Sequence, residues 1–259
     1  MGARCRVNSG TRRPARDRGL GGASGGGGGF GPVPPLDPLT YEYWDAEYGI
    51  VTIGGAVDTW TGQKLGIVLT APSAPARPNY VTDSNFLGTP IVQCQTAGSK
   101  CVANTAITAI PAASRPYSIS CVRLSSNPPG ATWAIFGLGV VAVADPHYVL
   151  YRNAGSALAW AFSGGSLSAT LTADTAVHVI EAWNDGVNAN CRDNSTLFQT
   201  PNLAALGNNC TSVGVGRAAS TNTHFSDSRH AFHMLCTAKP SDAYIAQLRA
   251  WLTVRKGAP

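Results

Sequence analysis

Glutamate is scarce in this 259-residue chain, whose only glutamates are Glu42, Glu47 and Glu181. Hydrolysis of a glycosidic bond usually needs two carboxylates that flank the bond, and no E-x-D-x-x-E signature is present. Glu181 and Asp185 lie four residues apart, but Asp185 falls in a predicted turn and Glu181 is expected to face solvent. The sequence therefore predicts that the chain is not an enzyme.

Paired cysteine motifs are also missing, so the spacing of a zinc site is absent. The pairs Cys94–Cys101 and Cys191–Cys210 could form hairpin disulfides in an oxidising environment, and otherwise the cysteines are small buried residues. The seven cysteines are Cys5, Cys94, Cys101, Cys121, Cys191, Cys210 and Cys236.

No arrangement typical of a serine hydrolase or a histidine metal site is found. A G-x-S-x-G spelling occurs at residues 22–26, but no strand precedes it and no helix follows it. His230 and His233 are three residues apart in a predicted strand, so they are expected to point to opposite faces. Neither a catalytic residue nor a resident cofactor is predicted.

Long apolar runs are absent as well. No stretch approaches the ~20 apolar residues that a membrane-spanning helix needs, and no apolar run typical of a secretory signal precedes Gly19. We therefore expect synthesis in the cytoplasm without export, and no insertion into a membrane.

Residues 1–35 form a predicted arm that is basic and rich in glycine. The net charge of +5 belongs to this arm, because the basic and acidic residues of the remainder balance. Such a segment has no core of its own, so its path depends on contacts with other chains. A nucleic-acid partner is disfavoured because aromatic residues are not interleaved with the arginines. The candidate anchoring residues are Arg4, Arg6, Arg12, Arg13, Arg16, Arg18 and Phe30.

From residue 36 onward, short alternating segments separated by turn residues predict antiparallel strands. The segment "IVTIGGAVDTW" (50–60) predicts a hairpin that turns at Gly54-Gly55. One helix is predicted over 241–256, where Ser241 is suited to the N-cap and Gly257 to the C-cap. Trp133, Trp160 and Trp183 lie within strand patterns and are expected in the core.

The segment "YEYWDAEYGIVTIGGAVDTWTGQKLGIVLTAPSAPARPNYV" and the closing "HAFHMLCTAKPSDAYIAQLRAWLTVRKG" resemble concanavalin A-like, laminin-G-like jelly-roll domains of phage and bacterial surface proteins. The resemblance covers about residues 36–257. It implies an all-β, two-sheet antiparallel jelly-roll sandwich over 36–259, with an N-terminal arm and one C-terminal helix. The matching residues are Trp44, Asp45, Ala46, Gly54, Gly55, Val57, Trp60, Gln63, Arg77, Pro78 and Tyr80.

Relatives of this kind include lectins that hold calcium, so the resemblance also implies ligands. Calcium needs several oxygen donors from loops, and the candidates are Asp83, Asp185 and Asp193. A glycan site is implied without named residues. Members of the family usually have an acidic residue in the penultimate strand, where this chain has "SRHAFHMLCT".

Together these features predict a non-enzymatic structural protein of a phage particle, either a capsid decoration or a tail or fibre component. The arm would anchor it to other virion proteins or to copies of itself, and the jelly-roll domain would bind host glycans. A free carbohydrate-binding protein at a bacterial surface or outside the cell is the alternative. A glycoside hydrolase is the third and least favoured hypothesis.

Overall fold

The computed structural model of this protein is mostly β-structure, and one α-helix closes the chain. The predicted anchoring residues Arg4 to Arg18 and Phe30 lie outside the described part of the chain. The described residues are 31–111, 115–124, 133–139, 148–152, 157–162, 165–170, 175–201, 209–217 and 225–259.

Seventeen strands lie within the described residues, and their bounds follow the short alternating segments of the sequence. They are β1 (Thr40–Asp45), β2 (Ile50–Ile53), β3 (Ala56–Thr61), β4 (Val68–Thr70), β5 (Asn79–Asp83), β6 (Thr89–Cys94), β7 (Val102–Asn104), β8 (Tyr117–Leu124), β9 (Trp133–Gly139), β10 (Tyr148–Arg152), β11 (Ala157–Phe162), β12 (Gly165–Thr170), β13 (Val177–Asn184), β14 (Asn188–Asp193), β15 (Thr196–Pro201), β16 (Ser212–Val215) and β17 (Ser228–Cys236).

Strand β17 lies at the centre of the hydrogen-bonded network. One edge of β17 pairs with β8, while the other edge pairs first with β6 and then with β1. The network continues from β8 through β13 and β14 to β15. A second run of neighbours is β12, β11, β10, β9, β16, β7, β4, β3 and β2. Strand β5 joins the two runs, because it pairs with β6 and meets β3 at one position.

The predicted hairpin and helix are both present. Gly54 and Gly55 connect β2 to β3 with φ of 60° and 80°, a backbone conformation that glycine adopts at little cost. Helix α1 (Asp242–Lys256) begins after Ser241, whose Oγ accepts a hydrogen bond from the Tyr244 amide at 3.2 Å. It ends at Gly257, which has a φ of 66°.

Alternation along β13 separates two apolar clusters. Ile180 and Ala182 belong to the first cluster, which contains residues from both runs of strands. Val179 and Trp183 point the other way and belong to the second cluster, which includes the buried face of α1. The face of β8, β13 and β17 that carries the second cluster is therefore covered by the helix.

The segment just before β1 crosses this helix. Trp251 Nε1 donates to the Gly31 carbonyl and the Tyr244 hydroxyl donates to the Pro35 carbonyl, each at 2.9 Å. Within the described ranges, no helix combines the length and the apolar character needed to span a membrane.

Candidate functional site

Glu181 lies between two arginines at the boundary of the sheet and the helix. It is fully buried on β13, and its cross-strand partner on β14 is Arg192. Glu181 Oε2 accepts from Arg192 Nη1 at 3.3 Å, and Glu181 Oε1 accepts from Arg249 Nη1 at 2.5 Å. Arg249, on α1, also donates to the Asn194 carbonyl. The carboxylate is thus neutralised from both sides.

Trp183 extends this group toward the surface. The guanidinium carbon of Arg192 and the Nζ of Lys239 each lie 5.5 Å from the centroid of the Trp183 ring. A cation over an aromatic face is attracted by the ring's quadrupole. We call Glu181, Arg192, Arg249, Trp183 and Lys239 the Glu181 cluster. The side chains of its three cations keep between a fifth and a third of their surface exposed.

Tyr117 lies beneath the Glu181 cluster. Its ring centroid is 6.1 Å from that of Trp183, and its hydroxyl is buried near Glu181. Burial, together with the negative charge of Glu181, raises the pKa of Tyr117 well above its usual value. The hydroxyl is therefore held in its neutral form.

The expectation that Glu181 faces solvent is wrong. Odd-numbered residues of β13 point toward α1, and the helix removes that face from water. Asp185 does lie in a turn, where its Oδ1 accepts from the amides of Val187 and Asn188 at 2.8 and 2.6 Å. The pairing of Glu181 with Arg192 follows from a hairpin centred near Gly186, so the sequence carried a signal for it. Arg249 and Lys239 are brought in by tertiary packing alone.

The prediction that His230 and His233 point to opposite faces is also wrong. Strand β17 has a bulge at Ala231, which has no partner in the register between β17 and β8. The extra residue changes the parity of the strand, so the two imidazoles share one face. His230 Nδ1 and His233 Nε2 are 3.0 Å apart. Burial lowers the pKa of His230 to about 3, and burial and the proximity of His230 lower that of His233 well below its usual value.

The two histidines belong to a buried hydrogen-bonded chain. Ser228 Oγ lies 2.6 Å from His230 Nε2, and Ser120 Oγ lies 2.8 Å from His233 Nδ1. Ser226 Oγ continues the chain at 2.5 Å from Ser228 Oγ. Each ring nitrogen thus has a polar neighbour, which makes the burial of two histidines tolerable.

The three calcium candidates occupy separate places. Asp83 contacts Arg123 and Arg229 through Oδ2, at 3.2 and 2.6 Å. Although burial acts to raise it, hydrogen bonds from Arg229 and Asn85 lower the pKa of Asp83 to about 2. Asp193 Oδ1 lies 2.8 Å from His178 Nδ1. Asp185 accepts hydrogen bonds from backbone amides of its own turn. Calcium binding at these residues stays a prediction.

Other side chains that could bind a metal are dispersed. Across the described ranges, no three or more histidine, cysteine, aspartate or glutamate residues are grouped so that they could hold a metal ion. The cysteines from Cys94 to Cys236 are all buried and free of disulfides. Cys94–Cys101 and Cys191–Cys210 are therefore not bonded in this structure.

Comparison with known proteins gives matches in fold alone. No family model and no curated protein matches the chain. Trypanosoma rangeli sialidase in complex with sialic acid matches with a TM-score of 0.52 and 9% identity, over 85% of this chain and 35% of the sialidase. Its covalent intermediate with 2,3-difluorosialic acid matches with the same TM-score and identity, over 86% of this chain. The chain thus spans about a third of the length of these neighbours.

These neighbours overturn the functional prediction from sequence. A non-enzymatic structural protein of a phage particle was expected, whereas the structural neighbours are sialidases, which are glycoside hydrolases. The prediction that the chain is not an enzyme is wrong by the same comparison. It rested on the missing pair of catalytic carboxylates, and sialidases are an exception to that rule because their nucleophile is a tyrosine. At 9% identity the likeness shows the fold alone.

Proposed function

We propose that this chain is the part of a sialidase-like glycoside hydrolase that recognises an acidic glycan. The fold likeness supports the class of protein, since the neighbours are seen with sialic acid and with a sialic acid derivative. The Glu181 cluster supports the class of ligand, because sialic acid carries a carboxylate and arginine binds carboxylates in a bidentate geometry.

The proposed architecture is a concanavalin A-like jelly-roll sandwich. Two runs of antiparallel neighbours and a first cluster built from both of them support two stacked sheets. Helix α1 would then be a third layer on the outside of one sheet. This arrangement places the Glu181 cluster at the rim between helix and sheet, where a ligand can approach.

The observation that carries the ligand proposal is the spare positive charge of Arg192. Arg249 lies 2.5 Å from Glu181, and Lys239 lies 2.5 Å from Asp242. Arg192 holds Glu181 only by a longer contact of 3.3 Å. The three cations of the cluster thus face two carboxylates. A sugar carboxylate would balance the third positive charge. The ring of the sugar would then lie beside Trp183.

Binding is tested by titrating the full chain with sialyllactose and, as the uncharged comparison, with lactose. We expect saturable binding of sialyllactose that Arg192→Met weakens at least about tenfold, because a charge-assisted hydrogen bond contributes about 1.5–3 kcal/mol. Arg77→Met is the matched control, since Arg77 pairs with Asp58, which is outside the Glu181 cluster, and should leave binding unchanged. Equal binding of both sugars, or an unchanged affinity in Arg192→Met, would refute the proposal.

A second candidate is hydrolysis by this chain itself, favoured by the position of Tyr117. Tyrosine is the nucleophile of sialidases, and the buried Tyr117 hydroxyl lies near Glu181, which two arginines contact. Both groups are fully buried, so α1 would have to move before a sugar could reach them. Release of sialic acid from a fluorogenic sialoside, abolished by Tyr117→Phe, is the expected result. No release at high enzyme concentration would exclude this candidate while leaving recognition intact.

A further inference from the structure

Lys256 is a lysine buried completely inside the domain. It is the last residue of α1, and none of its side chain is exposed. Its Nζ lies 2.7 Å from Asp45 Oδ1 and 2.7 Å from Glu47 Oε2. Buried lysines are rare unless they are paired, and here one amine meets two carboxyl groups that are two residues apart.

The surroundings of this triad are apolar. Asp45, at the end of β1, lies opposite Phe232 on β17, and Phe232 lies opposite Cys121 on β8. The Trp251 ring centroid is 5.9 Å from the Lys256 Nζ. This row of side chains and the helix above it exclude water from the amine and from the Asp45 carboxyl.

Asp45 is set apart from Glu47 by its burial. The Asp45 side chain is fully buried, and its Oδ2 has no hydrogen-bond partner. Burial raises the pKa of Asp45 even though the charge of Lys256 opposes the change. In an apolar site, transfer of the proton from ammonium to carboxylate removes two buried charges. Condensation needs such a transfer, because it leaves a lone pair on the amine and a carboxylic acid beside it.

We propose that Lys256 and Asp45 condense in the folded protein to form an intramolecular isopeptide bond. The lone pair of the neutral Lys256 Nζ attacks Cγ of the protonated Asp45, and the new N–C bond gives a tetrahedral centre. The bond from Cγ to Oδ2 then breaks, and this oxygen leaves as water. An amine and a carboxylic acid thus yield an amide and one water, with no oxidant or reductant required.

Glu47 is placed to carry the proton in this reaction. Its Oε2 lies within hydrogen-bond reach of the attacking nitrogen, the distance that general acid–base catalysis needs. It would take a proton from Nζ as the N–C bond forms and deliver one to the departing Asp45 oxygen. The Glu47 side chain is 19% exposed, so the water formed has a path to solvent.

The folded chain supplies the rate enhancement through proximity. Lys256 is fixed by the last turn of α1, and Asp45 is fixed by pairing with β17. Holding two reacting groups in contact converts a bimolecular step into a unimolecular one. The bond would join the first strand to the end of the helix and enclose the domain in one covalent ring.

The same molecule contains a matched comparison pair. Lys239 Nζ lies 2.5 Å from Asp242 Oδ1, but the Asp242 side chain is 83% exposed. The hydrogen bond and the positive charge of Lys239 lower the pKa of Asp242, which favours the ionised form of that carboxyl. We expect no condensation there, although the chemical groups and the distance are alike.

The test is the mass of the full-length protein, purified after expression and measured under denaturing conditions. We expect wild type to be lighter than its sequence mass by one water molecule, and Lys256→Arg to have its full sequence mass. After tryptic digestion, the peptide with Asp45 and the peptide with Lys256 should appear as one branched species. Trypsin does not cleave the Lys239–Pro240 bond, so Lys239 and Asp242 stay in one peptide, which should keep its full sequence mass. Denatured wild type should also migrate faster in gel electrophoresis than Lys256→Arg.

Glu47→Gln tests the proton carrier. We expect this variant, confirmed as folded by circular dichroism, to retain mostly the full sequence mass after purification and to lose water slowly on incubation. A wild-type chain that keeps its full sequence mass after prolonged incubation in the folded state overturns the proposal, as does a branch located at Glu47 instead of Asp45. Cross-linking of Glu47→Gln as complete as that of wild type overturns the role of Glu47.

Discussion

The imidazole nitrogens His230 Nδ1 and His233 Nε2 lie 3.0 Å apart in the interior of the domain. His233 stacks on Phe136 at a centroid distance of 5.2 Å and is approached edge-on by Trp60 at 5.9 Å. A hydrogen bond between two histidines requires at least one neutral ring, and the apolar surroundings favour two.

This pair predicts that the protein loses stability in mild acid. The pKa of His230 falls from about 6.5 in the unfolded chain to about 3 in the folded one. Between these values the unfolded state binds more protons, so the free energy of unfolding falls as pH falls, by up to about 1.4 kcal/mol per pH unit for each histidine. Urea unfolding at a series of pH values from 7 to 4 measures this slope.

A variant separates the histidine pair from other acid-sensitive groups. We expect His230→Gln to flatten the pH dependence between pH 6.5 and 4, whatever its effect at neutral pH. His178→Gln is the control, because the His178 ring contacts Asp193 and does not belong to the histidine pair. An equal pH slope in wild type and His230→Gln would contradict this account.

Gly62→Ala should destabilise the protein by breaking a buried carboxylate site. An added Cβ would lie 2.2 Å from the Glu42 Cδ, and Glu42 accepts hydrogen bonds from the amides of Lys64, Leu65 and Ile67. Displacing a buried acceptor leaves those donors unpaired, so we expect a loss on the order of 2 kcal/mol. Gly31→Ala, where no atom lies within 4 Å, should change the urea midpoint little.

Leu248→Ala tests how strongly α1 depends on the second apolar cluster. Leu248 is fully buried, whereas Val254 on the same helix is 52% exposed. We expect Leu248→Ala to cost about 2–5 kcal/mol through lost burial and a cavity, and Val254→Ala to stay within about 0.5 kcal/mol. Equal losses in the two variants, measured by chemical unfolding, would show that the helix is not held by this face.

Arg249→Met should destabilise the domain more than Arg192→Met does. Arg249 lies closer to the fully buried Glu181, at 2.5 Å against 3.3 Å. Removing the partner of a buried charge costs about 3–5 kcal/mol, although the remaining arginine reduces that cost here. Thermal unfolding of the two variants gives the comparison, and a larger loss in Arg192→Met would contradict it.

Local patterns predicted local structure well. The turn at Gly54-Gly55 and the start of α1 after Ser241 depend on backbone preferences of a few residues, and both are present. The parity of β17 could not be read in the same way, because a bulge at Ala231 has no reliable sequence signature. One extra residue moved His233 from the expected face to the face of His230.

At the candidate sites, too, the sequence predicted local structure but not the tertiary contacts. The sequence placed Glu181 in a strand and Asp185 in a turn, but it gave no sign that a helix more than 60 residues later would bury Glu181. Charge counting suggested a balanced domain, while the structure concentrates cations around Trp183. Partners of residues 1–35 stay a prediction.

The amino-acid sequence by itself determined a chain of antiparallel strands with one C-terminal helix, because alternation and capping act over a few residues. Only the tertiary structure decided which polar groups became buried together: His230 with His233, Glu181 with two arginines, and Lys256 with Asp45. The contacts of Glu181 with Arg249 and of Lys256 with Asp45 join residues far apart in the chain, and a helix packed on a sheet excludes water from them. The two histidines meet through a bulge in β17.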